Sequence, residues 1–410
     1  MVIGYQFMSN LREIDYGPLG RSRFFAITST ALGMFLWGFI LALAPLTTQW
    51  PFVPSSFDEY VLLAAPVSLM VGNLIIGKLS DALGRKMGFI MTMVIYGVGA
   101  LLIILSSNVY ELIAGIALAE FGLGGEEPAT LAYMAEMMPI RLRERIIIGV
   151  TNVANIGAAV AAALSLVASS MYLQKLFFGV TILVTIIIIL ATRLLIPESY
   201  RWSNVKSSCR VIGLSEMKGF RIRLIFLTLI ALTIVLTYAL LALVMGPYLF
   251  PKLTSWIVLL YNVGESVGGL IGMALADIMG MRKFTLMAYL GGFITMLLVI
   301  PQLAFAPQNL PLFLLILSVN GVFGELGWAA RVVLEPELFP TGSRSMGVAL
   351  VRAIAYVAYI ASIFITAGFT IWQYAWYNVA LWSLGLLGAL IWFTHGVETR
   401  LKTLEEVNPQ

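Results

Sequence analysis

Long apolar runs alternate with short polar segments along the chain. A helix that crosses the hydrocarbon core of a bilayer needs about 20 mostly apolar residues. Twelve runs meet that length, and they cover residues 24–46, 59–79, 87–106, 110–135, 146–168, 175–196, 222–245, 254–276, 284–305, 310–335, 346–369 and 374–395. The pattern predicts an all-α integral membrane protein with twelve transmembrane helices.

Composition supports a chain that lies in a lipid bilayer. Hydrophobic residues make up 60% of it and charged residues 11%, against about 25% charged in soluble domains. One Cys and one His exclude a disulfide scaffold, a Cys/His zinc site and a haem or iron–sulfur protein. We therefore expect no metal and no cofactor. The net charge of +4 does not indicate nucleic-acid binding, because almost every Lys and Arg lies in a short loop.

The basic residues predict the topology, since cytoplasmic loops are enriched in Lys and Arg. Of the 25 Lys and Arg, 21 fall on one side of the twelve-helix arrangement. Only Lys175 and Lys252 fall on the other side, while Arg331 and Arg352 lie inside predicted helices. Both termini are therefore expected to be cytoplasmic, in a multi-pass protein of the cell membrane.

The two halves of the sequence repeat one another. Three motifs recur at matching positions: Asp81-x-x-Gly84-Arg85-Lys86 and Asp277-x-x-Gly280-Met281-Arg282-Lys283, Glu136 to Arg143 and Glu337 to Arg344, and Pro197-Glu198-Ser199 and Val397-Glu398-Thr399. Internal repeats are typical of secondary transporters. We predict an N-terminal six-helix bundle over 1–196, a central cytoplasmic loop over 197–222, and a C-terminal bundle with its tail over 223–410.

The same motifs resemble those of a known family. Gly77-Lys78-Leu79-Ser80-Asp81-Ala82-Leu83-Gly84-Arg85-Lys86 looks like the signature loop of the major facilitator superfamily. Pro197-Glu198-Ser199-Tyr200-Arg201-Trp202 resembles the sugar-porter motif, and Glu337-Leu338-Phe339-Pro340-Thr341 and Glu398-Thr399-Arg400 are similar to later sugar-porter motifs. The resemblance implies two pseudo-symmetric six-helix bundles around a central cavity, alternating-access transport and a monomer.

The substrate residues of sugar porters are mostly missing. Sugar porters carry an acidic residue in helix 1 and a Gln pair in helix 7, and this chain has neither. Helix 5 also lacks the Gly-Pro signature of drug–proton antiporters. The resemblance therefore covers the motifs at the cytoplasmic side, whereas the residues expected in the substrate cavity differ from those of sugar porters.

Charged residues at the cytoplasmic ends of the helices form a candidate gate. Its members are Asp81, Gly84, Arg85, Lys86, Glu136, Arg143, Arg145, Glu198, Arg201, Asp277, Arg282, Lys283, Glu337, Arg344 and Glu398. The resemblance implies that ion pairs among them hold this side closed and break when it opens. The alternative is topological anchoring and helix capping only. Exposed ion pairs contribute ~0–1 kcal/mol each, so a gate needs several acting together.

Glutamates inside predicted helices are candidates for proton coupling. The deep acids are Glu120, Glu126, Glu127, Glu265 and Glu325. A charge at the bilayer centre costs about 2.5–3.5 kcal/mol or more, which makes such residues functional hypotheses. They outnumber Arg331 and Arg352, so some are expected to stay protonated. Glu120 and Glu127 lie seven apart on one helix face and are the leading candidates, whereas Glu126 points about 100° away.

Other readings of these residues remain open. The glutamates could be structural, pairing with Arg331 and Arg352 or bonding between helices. Arg331 has Glu335 at i,i+4 spacing, and either arginine could instead bind a substrate carboxylate through two hydrogen bonds. Further cavity candidates are Asn152 and Asn155, three apart on one helix, and Trp328.

The function predicted is secondary active transport of a small organic solute, a sugar or another metabolite, by proton-coupled symport. A facilitative sugar uniporter, an organic-cation transporter and a non-transporting nutrient receptor are the alternatives. We expect no enzyme, because the sequence lacks a metal-ligand cluster, a nucleophile–base arrangement and a phosphate-binding glycine loop.

Overall fold

The computed structural model describes residues 14–207, 217 and 219–408. Within these residues there are twelve long helices, numbered α1 to α12, which run over Arg21–Thr47, Asp58–Leu83, Arg85–Leu105, Val109–Met137, Ile140–Val167, Met171–Leu195, Phe220–Leu249, Thr254–Ala276, Met281–Phe305, Leu310–Glu337, Arg344–Thr366 and Ile371–His395. Each overlaps one predicted run, so the twelve-helix prediction is confirmed.

Eleven of these helices are long and apolar enough to cross a membrane. The remaining helix, α4, is as long as the others but contains five glutamates within Val109–Met137. Its side chains from Gly122 to Met137 are buried without interruption. Helix α4 therefore carries several buried charged side chains into the bundle.

Three of the described helices depart from regular α-helical geometry. Helix α9 is interrupted at Leu298, between Met281–Leu297 and Val299–Phe305. Helix α1 is interrupted at Ala42, between Arg21–Leu41 and Leu43–Thr47. Helix α7 widens into a π-helical segment over Ala239–Val244 before its last turn, Met245–Leu249. Segments of π-helix occur frequently at functional sites.

The helices form two six-helix bundles related by pseudo-two-fold symmetry. In the first bundle α1 packs against α5 and α6, and α4 packs against α2 and α3. Adding six to each number gives the packing of the second bundle, in which α7 contacts α11 and α12 while α10 contacts α8 and α9. Between the bundles α5 contacts α8 and α2 contacts α11, again a symmetric pair. This is the predicted major facilitator fold.

Glycines bring α8 and α10 into close contact. A Cβ on Gly264 would lie 2.1 Å from the backbone oxygen of Ser318, and one on Gly268 would lie 2.4 Å from that of Val322. Any larger residue at either position would push the two helices apart. The polar side chains on this pair of helices are consequently packed together.

One face of the bundles holds the α2–α3, α4–α5 and α8–α9 loops together with the described chain ends, and we call it the terminal face. The segment predicted as the central loop contains a helix there, Tyr200–Ser207, and α7 already begins at Phe220. A second short helix, Leu404–Val407, lies in the tail. The exact domain boundaries at 196 and 223 stay predictions.

Candidate functional site

Glu136 joins the two bundles at the terminal face. It lies in the last turn of α4, and its carboxylate accepts from Arg85 and from Arg344, each at 2.8 Å. Arg85 begins α3 of the first bundle, whereas Arg344 begins α11 of the second. All three side chains are at most 1% exposed. This buried triad links the bundles on one side of the membrane.

A second ion pair repeats this link in the opposite direction. Glu337 ends α10, and Arg143 of α5 lies 2.7 Å from it. Each glutamate thus pairs with an arginine of the other bundle, and each motif separates its acid from its arginine by seven residues. The candidate gate residues are therefore brought together, and the terminal face is closed in this structure.

The two halves of this cluster are unequal. Arg85 also pairs with Asp81 and donates to the backbone oxygen of Thr341 at 3.0 Å. Glu198 accepts from the backbone nitrogen of Arg85, and Glu398 accepts from that of Met281. The structural equivalent of Arg85 is therefore Met281, rather than Arg282.

Several gate candidates cap helices. Glu198 and Glu398 accept from the first backbone N–H groups of α3 and α9, at 2.9 and 2.8 Å. Asp81 similarly accepts from the nitrogen of Met346 at 2.8 Å, at the start of α11. Gly84 is placed under Glu198 with φ +114°. The capping alternative thus holds for part of the set, alongside the cross-bundle pairs.

The remaining gate candidates lie around this core. Lys86 donates to the backbone oxygen of Ile196 at 3.0 Å, Arg282 donates to that of Phe393, and Lys283 is exposed. Arg145 and Asp277 form a half-exposed ion pair between the bundles at 3.0 Å. These contacts add peripheral support to the buried pairs.

Arg201 in the helix Tyr200–Ser207 binds two chain ends. It pairs with Asp15 at 2.7 Å and with Glu405 at 3.1 Å. Burial lowers the pKa of Arg201, but Glu405 and Asp15 outweigh burial and bring the pKa above its ordinary value. Asp15 was not predicted, because nothing in the sequence relates residue 15 to residue 201.

A second charged cluster lies deep between the bundles. Glu127 of α4 pairs with Arg331 of α10 at 3.4 Å and with Arg352 of α11. Glu335 pairs with the same two arginines, at 3.4 and 3.0 Å. All four side chains are at most 2% exposed. Two acids and two arginines leave this cluster electrically balanced, and Glu127 is its one member from the first bundle.

Glu126 has a different set of partners from Glu127. It pairs with Arg193 of α6 and accepts from Thr92 of α3 at 2.5 Å, so its contacts stay inside the first bundle. Arg193 lies in the last turn of α6, where a basic residue is typical of a cytoplasmic helix end. Its buried side chain is 1% exposed, and only tertiary packing identifies it as a partner.

Three deep glutamates have no cationic partner within the described residues. Neither carboxyl oxygen of Glu120 makes a hydrogen bond there. Glu325 accepts from Asn155 at 2.7 Å and leaves its Oε1 unpaired, while Glu265 leaves its Oε2 unpaired. An isolated ionised carboxylate is strongly disfavoured in an apolar interior, so each of these three groups needs either a proton or a cationic ligand. The predicted excess of acids is present, and it resides on these three residues.

The candidate cavity residues lie next to the deep cluster. Asn155 donates to Asn152, which donates to the backbone oxygen of Ser266 in α8 at 3.1 Å. Trp328 lies inside the bundle at 5% exposed, and its ring meets Trp37 edge to face at 5.4 Å. The guanidinium of Arg331 lies 4.8 Å from the Trp328 ring. Amides, indoles and charged groups from both bundles therefore meet in one region.

The fold and the two charged clusters define a multi-pass membrane protein of the major facilitator type. The model for the family "Sugar (and other) transporter" matches residues 52–211 and 206–410. The chain belongs to that family.

Curated relatives match over part of the chain. The minor myo-inositol transporter IolF of Bacillus subtilis is 32% identical over 35% of this chain and 33% of its own length. The 4-hydroxybenzoate transporter PcaK of Pseudomonas aeruginosa is 30% identical over 42% of this chain and 37% of its own. The niacin transporter NiaP of Acinetobacter baylyi is 25% identical over 38% and 37%. These matches span only about a third of the relatives' lengths.

Solved structures match the whole fold. The proton:xylose symporter XylE bound to 6-bromo-6-deoxy-D-glucose superposes with a TM-score of 0.73 at 16% identity, covering 94% of this chain and 98% of that one. The inward-open conformation of the xylose transporter XylE from E. coli gives 0.66 at 18% identity, covering 93% and 98%. At this identity the likeness establishes the fold alone.

Proposed function

We propose that this protein is a proton-coupled transporter of a small organic carboxylate that works by alternating access. In this proposal the terminal face is cytoplasmic, the protein lies in the cell membrane, and a monomer is the working unit. The relatives described above are named as transporters, which supports transport rather than catalysis. Two of them, for 4-hydroxybenzoate and niacin, are named for carboxylic acids or their salts.

The observation that carries the proposal is the deep ion cluster. Arg331 and Arg352 are buried between the bundles, and the carboxylates that hold them come from both bundles. A guanidinium binds a carboxylate through two parallel hydrogen bonds. A substrate carboxylate could therefore take the place that Glu127 occupies. Such an exchange keeps the cluster balanced only if Glu127 accepts a proton.

Proton and solute are coupled through this exchange. A proton on Glu127 removes its negative charge and releases Arg352, which then needs another anion. A buried charge left unpaired costs about 3–5 kcal/mol, so the solute anion binds when Glu127 is protonated. Glu120, two turns away on the same helix face, is the second proton carrier in this scheme.

Alternating access follows from the pairs at the terminal face. The buried contacts of Glu136 and Glu337 hold that side closed. They must break for the solute to leave toward the terminal side. Helices α4 and α10 connect the two clusters, because α4 contains Glu127 and Glu136 and α10 contains Glu335 and Glu337. In this scheme, binding of a proton and a solute in the deep cluster shifts both helices and thereby breaks the pairs at the terminal face.

The test uses proteoliposomes loaded with a pH-sensitive dye. Monocarboxylates, dicarboxylates, sugars, amino acids and organic cations are added in turn to the protein and to Glu127→Gln and Glu120→Gln. We expect lumen acidification with monocarboxylates, abolished in Glu127→Gln. Glu59→Gln, an exposed position on α2, serves as the control and should behave as the parent. Carboxylate uptake without a pH change would reject proton coupling.

A second candidate is the uptake of a sugar or polyol without a proton. The amides of Asn152 and Asn155, which suit hydroxyl groups, favour it, as does the similarity to a myo-inositol transporter. The test measures uptake of radiolabelled myo-inositol or xylose. Uptake that causes no acidification and is unaffected by Glu127→Gln would support this candidate and reject the proposal of carboxylate transport.

A further inference from the structure

The contact between α8 and α10 brings two acidic side chains together. A Cβ on Gly268 would lie 3.0 Å from the Cβ of Glu325, and one on Gly324 would lie 3.3 Å from Oε1 of Glu265. Glu265 and Glu325 are 2% and 1% exposed. Neither belongs to the balanced cluster around Arg331, so the second bundle has a separate acidic pair.

Polar atoms near this pair have no protein partner in the part of the chain that the structure describes. Glu265 leaves Oε2 unpaired and Glu325 leaves Oε1 unpaired. The indole nitrogens of Trp37 and Trp328 are also unpaired, although the two residues are 4% and 5% exposed. Buried polar groups are usually hydrogen-bonded. These four groups therefore have hydrogen-bonding capacity that a polar ligand can satisfy.

Aromatic rings form the wall beside the acids. Trp328 meets Trp37 at 5.4 Å and Tyr238 at 6.4 Å between ring centroids, and Tyr238 meets Tyr261 at 6.1 Å. Tyr261 lies beside Gly324, next to the acidic pair. Aromatic rings together with carboxylates recognise organic ammonium groups through cation–π attraction and charge. This end of the region is suited to a positively charged nitrogen.

The opposite end of the same wall is positive. Glu325, Trp328 and Arg331 follow at intervals of three residues on α10, and Arg331 packs on the Trp328 ring at 4.8 Å. Six residues correspond to about 9 Å along the helix axis. The wall thus has an acidic pair at one end and the arginine cluster at the other.

We propose that the transported solute is a zwitterion that carries both a carboxylate and a cationic nitrogen. The carboxylate faces Arg331 and Arg352, the nitrogen faces Glu265 and Glu325, and the body of the solute lies against Trp37 and Trp328. The carboxylate half rests on the proposed function. The cationic half rests independently on the acidic pair and the aromatic wall.

The experiment compares solutes that differ only in the charged nitrogen. Glycine betaine is matched with 3,3-dimethylbutyrate, and N-methylnicotinate with 3-methylbenzoate, because each pair has the same shape and one nitrogen exchanged for carbon. Dissociation constants are measured by tryptophan fluorescence on the full chain in nanodiscs. We expect the zwitterion of at least one pair to bind about tenfold more tightly than its isostere.

The variants test where that preference arises. Glu325→Gln and Glu265→Gln should reduce the ratio of the two affinities within each pair toward one. They should leave the affinity for the anionic isostere, which lacks the charged nitrogen, within about twofold of the parent. Binding of the isostere shows that each variant is folded. Glu59→Gln should keep the full preference.

Three results would overturn the zwitterion. If the parent protein binds the zwitterion and its isostere equally well, recognition of the cationic nitrogen is rejected. An unchanged ratio of the two dissociation constants in both glutamine variants would reject it as well. If 3,3-dimethylbutyrate or 3-methylbenzoate still drives acidification, the proposed function survives that failure. Tetramethylammonium binding as tightly as betaine would remove the carboxylate half, and with it both proposals.

Discussion

Adjacent glutamates in α4 have opposite surroundings. Successive residues of an α-helix point about 100° apart, so Glu126 faces Arg193 in its own bundle while Glu127 faces Arg331 and Arg352 in the other. Contacts within one bundle persist when the bundles move as rigid bodies, whereas contacts between bundles change. We therefore predict that Glu126 stabilises the fold and that Glu127 changes its contacts during transport.

Replacing Glu126 should destabilise the protein rather than alter proton coupling. Glu126→Gln leaves Arg193 buried without its counter-charge, and such a loss costs about 3–5 kcal/mol. We expect a lowered unfolding temperature of the purified protein, partly restored in Glu126→Gln with Arg193→Met. An unfolding temperature equal to that of Glu59→Gln would show that the pair contributes nothing to stability.

Gly84 should be sensitive to the addition of a single methyl group. Its φ is +114°, and a Cβ there would lie 2.3 Å from Oε2 of Glu198. Backbone strain of this kind costs about 1–3 kcal/mol. Gly84→Ala should lower the unfolding temperature, whereas Gly20→Ala, with no atom within 4 Å of the added Cβ, should not. Thermal unfolding of the two variants side by side checks this.

At this scale the sequence predicts local pairs and misses distant ones. Arg331 with Glu335 follows from i,i+4 spacing, and the structure contains that pair at 3.4 Å. Arg193 with Glu126 and Arg201 with Asp15 join residues far apart in the chain. No helical periodicity relates such residues, because their contact depends on how whole helices pack.

At the scale of helices, the apolar runs of the sequence predict all twelve long helices of the described residues. Helix α4, with its five glutamates, is the one that is not apolar enough by itself to count among the eleven membrane-crossing helices. The break at Ala42 and the π-helical segment Ala239–Val244 were not predicted. Hydropathy describes how favourably side chains move from water into lipid or into the protein core. It contains no information on backbone hydrogen-bond register, which neighbouring helices impose.

The capping glutamates of α3 and α9 should behave as equivalents. Glu198 and Glu398 each accept from two backbone N–H groups at a helix start. Losing a cap costs about 0.5–2 kcal/mol. Glu198→Ala and Glu398→Ala should each lower the unfolding temperature by a similar amount. A large effect of one and none of the other would contradict the symmetry of the two caps.

At the scale of the molecule, we predict that the cross-bundle ion pairs of Glu136 and Glu337 stabilise the closed conformation of the terminal face. Arg143→Glu places two negative charges together at Glu337 and should widen the terminal face, while Arg143→Glu with Glu337→Arg should close it again. Spin labels at the exposed positions Arg141 and Lys283, on opposite bundles, report the distance. An unchanged distance distribution in Arg143→Glu would show that the pair does not hold this side closed.

The ion pair between Arg201 and Glu405 of the tail should weaken in acid. Burial raises the pKa of Glu405, but Arg201 outweighs burial and holds that pKa below its ordinary value. A carboxyl whose folded pKa is depressed stabilises the fold above its unfolded pKa, and the contribution disappears as the pH falls through the folded pKa. The difference in unfolding temperature between the parent and Glu405→Gln should therefore be present at neutral pH and vanish in strong acid. A difference that persists at low pH would contradict the ion pair as its source.

The exchange of partners between Glu136 and Glu337 has a consequence for ancestry. After a duplication each half could in principle accumulate changes without regard to the other. Here the acid of each half is neutralised by an arginine of its sister, Arg344 for Glu136 and Arg143 for Glu337. A change of sign in one half is compatible with closure only when its sister changes too. The charges at these positions in the two halves must therefore change together. A chimera that takes one half from a distant relative keeps these ion pairs only if the charges of the new half match those of the old one.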